Sequence, residues 1–199
     1  MTDVLSLKII KILGGFLLLY FIVRYVNHLW VFMPVRLYGS DEVMTFSNHF
    51  FFNYIPYTIY ALLKIFLIAC ILYLGVVLYN LEPIGDYAAF SGIFKTVIVA
   101  ELAYLLQVLC GVIYFVIFKP SYSFDDYNEF SPFSLYSITG DVASVFDGLL
   151  KGVNLFELLH VFILMEGVRT VFGVTASKAT TIVLSTYGAA FLLWHLTGF

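Results

Sequence analysis

Among the ionisable side chains within long apolar stretches of this 199-residue chain, six are the main candidates for a structural or functional role. They are Lys64, Glu101, Glu157, His160, Glu166 and Arg169. A charge at the centre of a bilayer costs at least ~2.5–3.5 kcal/mol, so such groups are usually paired or functional. Similar depths along the predicted helices permit a Lys64–Glu157 pair and a Glu101–Arg169 pair. Structural pairing is favoured over a proton or ion path, because a relay would prefer carboxylates in one line.

The segment Glu157-Leu-Leu-His160 also fits the Glu-x-x-His pattern of carboxylate-bridged di-metal sites. Such sites need the motif twice together with two further glutamates, and the sequence contains it once. No Gly-rich phosphate loop, nucleophile elbow or paired catalytic acid is present either. The sequence therefore predicts no metal site, no cofactor and no enzymatic activity.

The chain has five apolar runs, three of which carry these groups, and each run is near the ~20 residues that a helix needs to cross about 30 Å of hydrocarbon. They are Leu7–Val26, Tyr57–Tyr79, Phe94–Ile117, Asn154–Val174 and Ala176–Leu196. The chain is 62% hydrophobic and 12% charged, whereas a soluble domain carries about 25% charged residues. We therefore predict an all-α membrane bundle with five transmembrane helices and a short interfacial helix, forming one domain over residues 1–199. The first run lacks a small-residue cleavage site and is predicted to be retained as a helix.

The five runs divide the extramembrane chain between the side of the N-terminus, called side A, and the opposite side B. Lys and Arg are shared evenly between the two sides, so the positive-inside rule gives little direction. We predict that the N-terminus lies in the cytoplasm. If the protein is bacterial, we predict that it lies in the inner or plasma membrane. The net charge of −3 and the lack of a polybasic run argue against a nucleic-acid partner.

Side B carries most of the extramembrane chain, including the segment Phe118–Gly152, where acids alternate with aromatic residues. This composition fits a docking surface, a weak cation site at Asp125, Asp126 and Glu129, or a plain interfacial loop. The lack of calcium-loop spacing favours the interfacial loop. Within Asp141–Lys151, apolar residues on one helical face predict a short helix along the membrane surface. The aromatic anchors predicted for a partner or lipid are Tyr122, Phe124, Tyr127 and Phe130.

Small residues in the runs predict places where helices approach closely, within one chain or between copies. They are Gly14, Gly15, Gly75, Ser185, Gly188 and Ala189.

A family resemblance is carried by four segments between residues 130 and 190. They are Ser131–Ser137, Gly152–Phe162, Glu166–Arg169 and Thr175–Thr180. Together with the five-run count, they resemble the carboxy-terminal part of the Yip1 family of five-span membrane proteins. Eukaryotic members carry a soluble amino-terminal region and an Asp-Leu-Tyr-Gly-Pro motif before the first span, whereas here only Arg36–Ser40 is similar, after that span. The resemblance implies a compact, non-enzymatic membrane module that works through its helices and partners.

Two functional hypotheses follow from these observations. The preferred one is a membrane scaffold or complex subunit that binds other membrane proteins, lipids or a second copy of itself. The alternative is a small transporter or an ion- or proton-translocating subunit that uses the intramembrane acids. An aqueous cavity reaching those acids would favour the alternative.

Overall fold

The computed structural model describes residues 2–32, 46–81, 87–119, 121–139 and 147–197. Its elements within these ranges are helices, and Ser134 and Asn154 form an isolated antiparallel bridge. The helices are α1 Thr2–Asn27, α2 Phe46–Leu78, α3 Tyr87–Ala100, α4 Leu102–Ile113, α5 Phe124–Glu129, α6 Leu135–Thr139, α7 Asp147–Gly152, α8 Leu155–Phe172, α9 Ala176–Val183 and α10 Ala189–Thr197. Wider π-helical turns continue α1 and α4 and join α9 to α10, at His28–Phe32, Tyr114–Phe118 and Leu184–Gly188. The predicted all-α class is confirmed for this part of the chain.

Four of the predicted runs form helices long and apolar enough to cross a membrane. These spans are Lys8–Val31, Ile55–Leu78, Tyr87–Phe118 and Ala176–Leu196. The remaining run forms α8, which has 18 residues and carries Glu157, Glu166 and Arg169. The chain is therefore a helical protein with membrane-spanning helices, and α8 packs among them.

Large apolar side chains are exposed along the spans, as expected of helices that face lipid. Leu18, Leu63 and Leu78 are 66%, 63% and 67% exposed, respectively. A soluble protein rarely exposes apolar patches of this extent, because water contact with them is unfavourable. Lipid tails remove that cost, so the helices need no polar outer face.

The close contact between α3 and α8 depends on glycine. A Cβ atom on Gly167 would lie 2.0 Å from Thr96 Cγ2, and one on Gly92 would lie 2.8 Å from Val171 Cγ1. Helices in lipid associate through such small residues, since their backbones can approach closely. Neither glycine was among the predicted contact residues.

Of the predicted small-residue contacts, Gly75 is confirmed, because its Cβ position lies 2.5 Å from Thr186 Cγ2 on the last span. Gly14 and Gly15 have nothing within 4 Å of their Cβ positions, so no described helix of this chain packs there. The atoms nearest to the Cβ position of Gly188 belong to Leu184 and Val183, which precede it along the same span.

The turn from α8 to α9 is the short hairpin that the sequence predicts. Gly173 adopts a left-handed conformation with φ of 63°, which ends α8 at little steric cost. The Thr175 hydroxyl accepts a hydrogen bond from the Lys178 backbone N–H at 3.3 Å and so caps α9. At the other end of α8, the Asn154 side chain accepts a hydrogen bond from the Glu157 N–H at 2.9 Å. This cap fixes Glu157 in the first turn of the helix.

Candidate functional site

Six polar side chains from different helices meet inside the bundle, and we call them the polar centre. They are Lys64 on α2, Glu101 between α3 and α4, Tyr104 on α4, Glu157 and His160 on α8, and Tyr187 in the last π turn. Glu101, Glu157 and Tyr187 are each 6% exposed, and His160 is 0% exposed. Four of the six predicted intramembrane groups are thus in one place, and the two tyrosines were not predicted.

Irregular backbone positions two members of the centre. At Glu101 the helix tightens to a 3₁₀-type hydrogen bond, because the Tyr104 N–H donates to the Glu101 carbonyl three residues back, at 3.2 Å. Tyr187 stands in the π turn Leu184–Gly188, which interrupts the last span. Mid-helix departures of this kind are frequent at functional sites.

Lys64 and Glu101 form the charge pair of the centre. The Lys64 ammonium lies 3.1 Å from Glu101 Oε1 and donates a hydrogen bond to Oε2 at 3.2 Å. It also lies 3.6 Å from the centroid of the Tyr104 ring, a cation–π distance. Three groups on three helical segments are thereby held together.

The pairs suggested by depth were wrong. Lys64 pairs with Glu101 rather than with Glu157, and Arg169 pairs with Glu166 one turn earlier on α8, at 2.9 Å. Glu166 and Arg169 are partly exposed at the side-A end of α8, away from the polar centre. The depth of a residue along a helix does not say in which direction its side chain points around the helix axis. That direction determines which charged groups meet.

Glu157 closes a ring of oxygen contacts with two tyrosines. The Tyr104 hydroxyl donates a short hydrogen bond to Glu157 Oε2, and the Tyr187 hydroxyl donates to Oε1 at 2.9 Å. The two hydroxyl oxygens lie 3.2 Å apart. A phenol has one proton to donate, so both are used when Glu157 is ionised. All three contacts can be hydrogen bonds at the same time only when the carboxyl group carries a proton.

His160 lies between the charge pair and this ring. Its imidazole is 4.8 Å from the Tyr104 ring and 5.2 Å from the Tyr187 ring, centroid to centroid. Its Nδ1 lies 3.9 Å from Glu101 Oε1. The ring also faces the backbone of Ala100, and neither nitrogen completes a hydrogen bond of good geometry within the described residues. The imidazole therefore adjoins both halves of the centre without being committed to either.

Two clefts reach the polar centre. The polar cleft, about 430 Å³, lies between α1, α2 and α4 and reaches Glu101. The apolar cleft, about 520 Å³, lies between α2 and α10 and reaches Glu157. Tyr60, Lys64 and Tyr104 line both clefts. The Lys64–Tyr104 contact therefore lies in the lining of both the cleft that reaches Glu101 and the cleft that reaches Glu157.

Both clefts lie in the half of the bundle nearer side B. Their outer residues, such as Tyr127, Pro132 and Gly152, belong to the side-B segment. The half nearer side A is filled by aliphatic side chains that are at most 1% exposed. They include Leu72, Val76, Ile93, Val97, Leu164 and Val168. Within the described residues, both clefts therefore lie at the end of the bundle that holds Tyr127, Pro132 and Gly152, and the other end is packed with aliphatic side chains.

Three of the four predicted partner-facing rings pack inward around Phe115. The Tyr122 hydroxyl donates to the Val31 carbonyl at 2.6 Å, and Asn27 Nδ2 donates to the Tyr127 hydroxyl at 3.1 Å. The Phe130 ring lies 4.8 Å from the Phe115 ring. Phe124 begins α5, but its side chain lies outside the described residues. A role for these rings in binding partners stays a prediction.

Asp126, one of the acids suggested for a weak cation site, is bonded within its own segment. It accepts hydrogen bonds from Lys119 Nζ at 2.5 Å and from the Ser123 backbone N–H at 2.8 Å. The Lys119 bond and the Ser123 bonds lower the pKa of Asp126 to about 2. Because this pKa lies below its ordinary value, the pair is intact at neutral pH and is lost only as the pH falls through about 2. The side chain of Asp125 and the residues 140–146, including most of the predicted surface-helix face, lie outside the described part of the chain.

No family model, curated protein or solved structure matches this chain. Its function must therefore be inferred from the site itself. Among the described residues, no three histidine, cysteine, aspartate or glutamate side chains converge as a metal site. What the polar centre offers is a set of groups that can hold and exchange protons: two carboxylates, an imidazole, two phenols and an ammonium.

Sequence reasoning missed Tyr104 and Tyr187. The chain contains 15 tyrosines, and tyrosine is common near membrane interfaces, so neither position stood out. The available signal was that both fall near the middle of a span, where an unpaired hydroxyl is costly.

Proposed function

We propose that this chain is a five-span integral membrane protein that takes up protons and passes them through the polar centre. The observation that carries the proposal is the ring formed by Glu157, Tyr104 and Tyr187. Its three oxygen contacts use two phenolic protons, so the ring gains its last hydrogen bond when it takes up one more. A buried ring of this kind is a place to hold one exchangeable proton.

The charges of the centre support the same conclusion. Lys64 brings one positive charge, and Glu101 and Glu157 bring two negative charges when ionised, which leaves one net negative charge. An uncompensated charge inside a bilayer is costly. One bound proton neutralises the centre, and its loss restores the charge, as a site that exchanges protons requires.

The geometry also supplies a route between the clefts. Water in the polar cleft would reach Glu101, which adjoins His160 at 3.9 Å. The His160 ring packs against Tyr104, whose hydroxyl donates to Glu157 in the apolar cleft. These carboxylates do not stand in one line on one helix, but the side chains between them connect the two. With the N-terminus in the cytoplasm, as the sequence predicts, both clefts would face the outside, so proton transfer to the cytoplasm would also require a path past the packed aliphatic side chains nearer side A, such as Leu72 and Val168.

We assign α8 as the fifth membrane span. Its 18 residues extend about 27 Å at 1.5 Å per residue, close to the thickness of a hydrocarbon core. Leu155, Leu158 and Phe162 form a stripe on this helix that is 54%, 59% and 54% exposed, as a lipid-facing surface would be. The charges of α8 are buried in the polar centre or paired near its side-A end. Its antiparallel hairpin with α9 then returns the chain to side B.

Proton flux into liposomes tests this function. Purified protein is reconstituted with an entrapped pH-sensitive dye, and a potassium gradient with valinomycin drives protons inward. We expect acidification well above that of empty liposomes, and we expect Glu157→Gln to reduce it to the empty-liposome rate, because glutamine cannot exchange the proton. Glu166→Gln is the matched control, since Glu166 is paired with Arg169 away from the polar centre.

The proposal would be contradicted if liposomes with the wild-type protein acidified no faster than empty liposomes. The reconstituted protein must then melt at the same temperature as the purified protein, which shows that it is folded. Full flux in Glu157→Gln would also contradict it, because protons would then bypass the ring.

The second candidate is the scaffold or complex subunit that the Yip1 resemblance implies. One observation favours it: Phe133 and Leu135 are 63% and 42% exposed, and they adjoin the exposed Leu155 through backbone hydrogen bonds between the two segments. This apolar surface lies at the side-B end of α8 and would suit another membrane protein or a second copy. In that case proton flux would be absent, and a membrane protein would co-purify with the chain.

A further inference from the structure

The apolar cleft has the features of a small-molecule site. Its volume of about 520 Å³ falls within the ~300–1,000 Å³ typical of ligand pockets. Leu63, Leu67 and Trp194 line it and are 63%, 56% and 50% exposed, so the cleft opens sideways between α2 and α10 toward lipid. At its inner end stand Glu157 and Tyr187. A ligand could therefore enter from the bilayer and reach the proton-holding ring.

The charges of the cleft select the sign of that ligand. Lys64 and Glu157 are the charged groups in its lining at neutral pH, and His195 is a further titratable group there. The Lys64 ammonium is engaged by both oxygens of Glu101 and by the face of Tyr104. Among the described residues, the side-chain donors to the Glu157 carboxylate are the two neutral phenols, so no cation of this part of the chain pairs with it directly. The cleft therefore holds an uncompensated negative charge on Glu157 when the ring of Glu157, Tyr104 and Tyr187 has lost its extra proton.

Aromatic faces make the same selection. The lining includes the rings of Tyr60, Tyr104, Tyr187, Phe191 and Trp194. Ring faces carry partial negative charge and attract cations, most strongly where water is excluded, and tryptophan is the best of them. Aromatic walls with a carboxylate at the inner end are complementary to an organic cation with an apolar body.

We propose that the apolar cleft binds lipophilic organic cations, which enter from the bilayer and exchange with the proton on Glu157. This inference rests on the proposed function, because it assigns the exchanged proton to the same ring. In the exchange, the O–H bond of the Glu157 carboxyl breaks and the proton leaves to water. The carboxylate then pairs with the incoming cation, so the charge of the centre is unchanged.

Binding is measured with tetraphenylphosphonium as the cation and tetraphenylborate as an anion of the same shape. The chain has two tryptophans, Trp30 and Trp194, so Trp30→Phe leaves the cleft residue as the sole tryptophan reporter. In detergent, we expect the phosphonium to change Trp194 fluorescence saturably and to release protons, at most one per cation, into weakly buffered solution. The borate should do neither.

Glu157→Gln, made in the Trp30→Phe background, should weaken phosphonium binding at least tenfold and abolish proton release. Glu166→Gln in the same background should bind as the parent does. Equal binding of the two ions, or unchanged phosphonium affinity in Glu157→Gln, would overturn the inference.

The binding experiment in detergent and the proton-flux experiment in liposomes test different claims, so either can fail while the other succeeds. Proton flux without phosphonium binding would overturn this inference and leave the proposed function standing. Glu157-dependent binding with proton release, but no flux, would support the cation site and overturn translocation.

Discussion

Replacing Lys64 by methionine is expected to destabilise the folded protein by up to about 3–5 kcal/mol, because the buried Glu101 carboxylate then loses its ammonium partner. Glu101 is 6% exposed and has Lys64 at 3.1 Å, while His160 Nδ1 is farther away at 3.9 Å. The figure is an upper range, since the membrane-embedded unfolded state offers alternative partners. Thermal unfolding in a fixed detergent measures the loss.

The double variant Lys64→Met/Glu101→Gln should recover most of this loss, because it removes both charges of the pair. The matched control is Arg169→Met, which breaks a pair with Glu166 that is partly exposed and so contributes little. If the Lys64 and Glu101 substitutions lowered stability additively, the two charges would not be coupled.

Replacing Tyr104 by phenylalanine is expected to reduce proton flux at least tenfold. The substitution keeps the ring beneath Lys64 and beside His160 but removes the hydroxyl that donates to Glu157 Oε2. A hydrogen bond to a charged group contributes about 1.5–3 kcal/mol, and about 1.4 kcal/mol corresponds to a tenfold change. The proton ring is then open at one corner, and the link from His160 to Glu157 is lost.

Tyr79→Phe serves as the control for this effect. The Tyr79 hydroxyl donates to Ser185 at 3.4 Å near the side-A end of α2, so its loss leaves the polar centre intact. Liposome flux that is equally low in both variants would point to a general loss of folding. Wild-type flux in Tyr104→Phe would show that the proton does not pass through that hydroxyl.

Hydropathy was sufficient to predict most of the architecture. A span must hold about 20 apolar residues to cross the hydrocarbon core, and that requirement is visible in single runs of sequence. The predicted run Phe94–Ile117 lies within the observed span Tyr87–Phe118, and Ala176–Leu196 is reproduced in full. The α8 run met the length but carries three charged residues, so its crossing depends on how those charges are arranged.

The partners inside the site were beyond the same reasoning. Glu101 and Arg169 were matched by depth, but Glu101 faces α2, where Lys64 reaches it. A shift of one residue turns a side chain by about 100° around the helix, so small uncertainties in packing decide which groups meet. Glu157 and His160 lie three residues apart on α8 and are both buried, a proximity that follows from the helix itself and needs no packing information.

The aromatic segment shows a similar limit. Composition indicated that the rings of Tyr122, Tyr127 and Phe130 prefer an interface, but not whether that interface is with a partner or with their own bundle. In the structure the three rings pack around Phe115, which is 1% exposed. Their inward packing depends on the π turn Tyr114–Phe118, which has no clear sequence signature.

The central claim is that Glu157 gains and loses a proton within its ring with Tyr104 and Tyr187. A pH-difference infrared spectrum of the reconstituted protein tests it most directly, because a protonated carboxyl group has a carbonyl stretch that a carboxylate lacks. The chain has 13 acidic residues that also take up protons, so the readout is the difference between variants: the band is expected in the wild type and in Glu101→Gln, and Glu157→Gln should lack the component that belongs to one buried carboxyl group. If the wild-type band is absent, or if it persists unchanged in Glu157→Gln, the ring does not exchange a proton and the account is wrong.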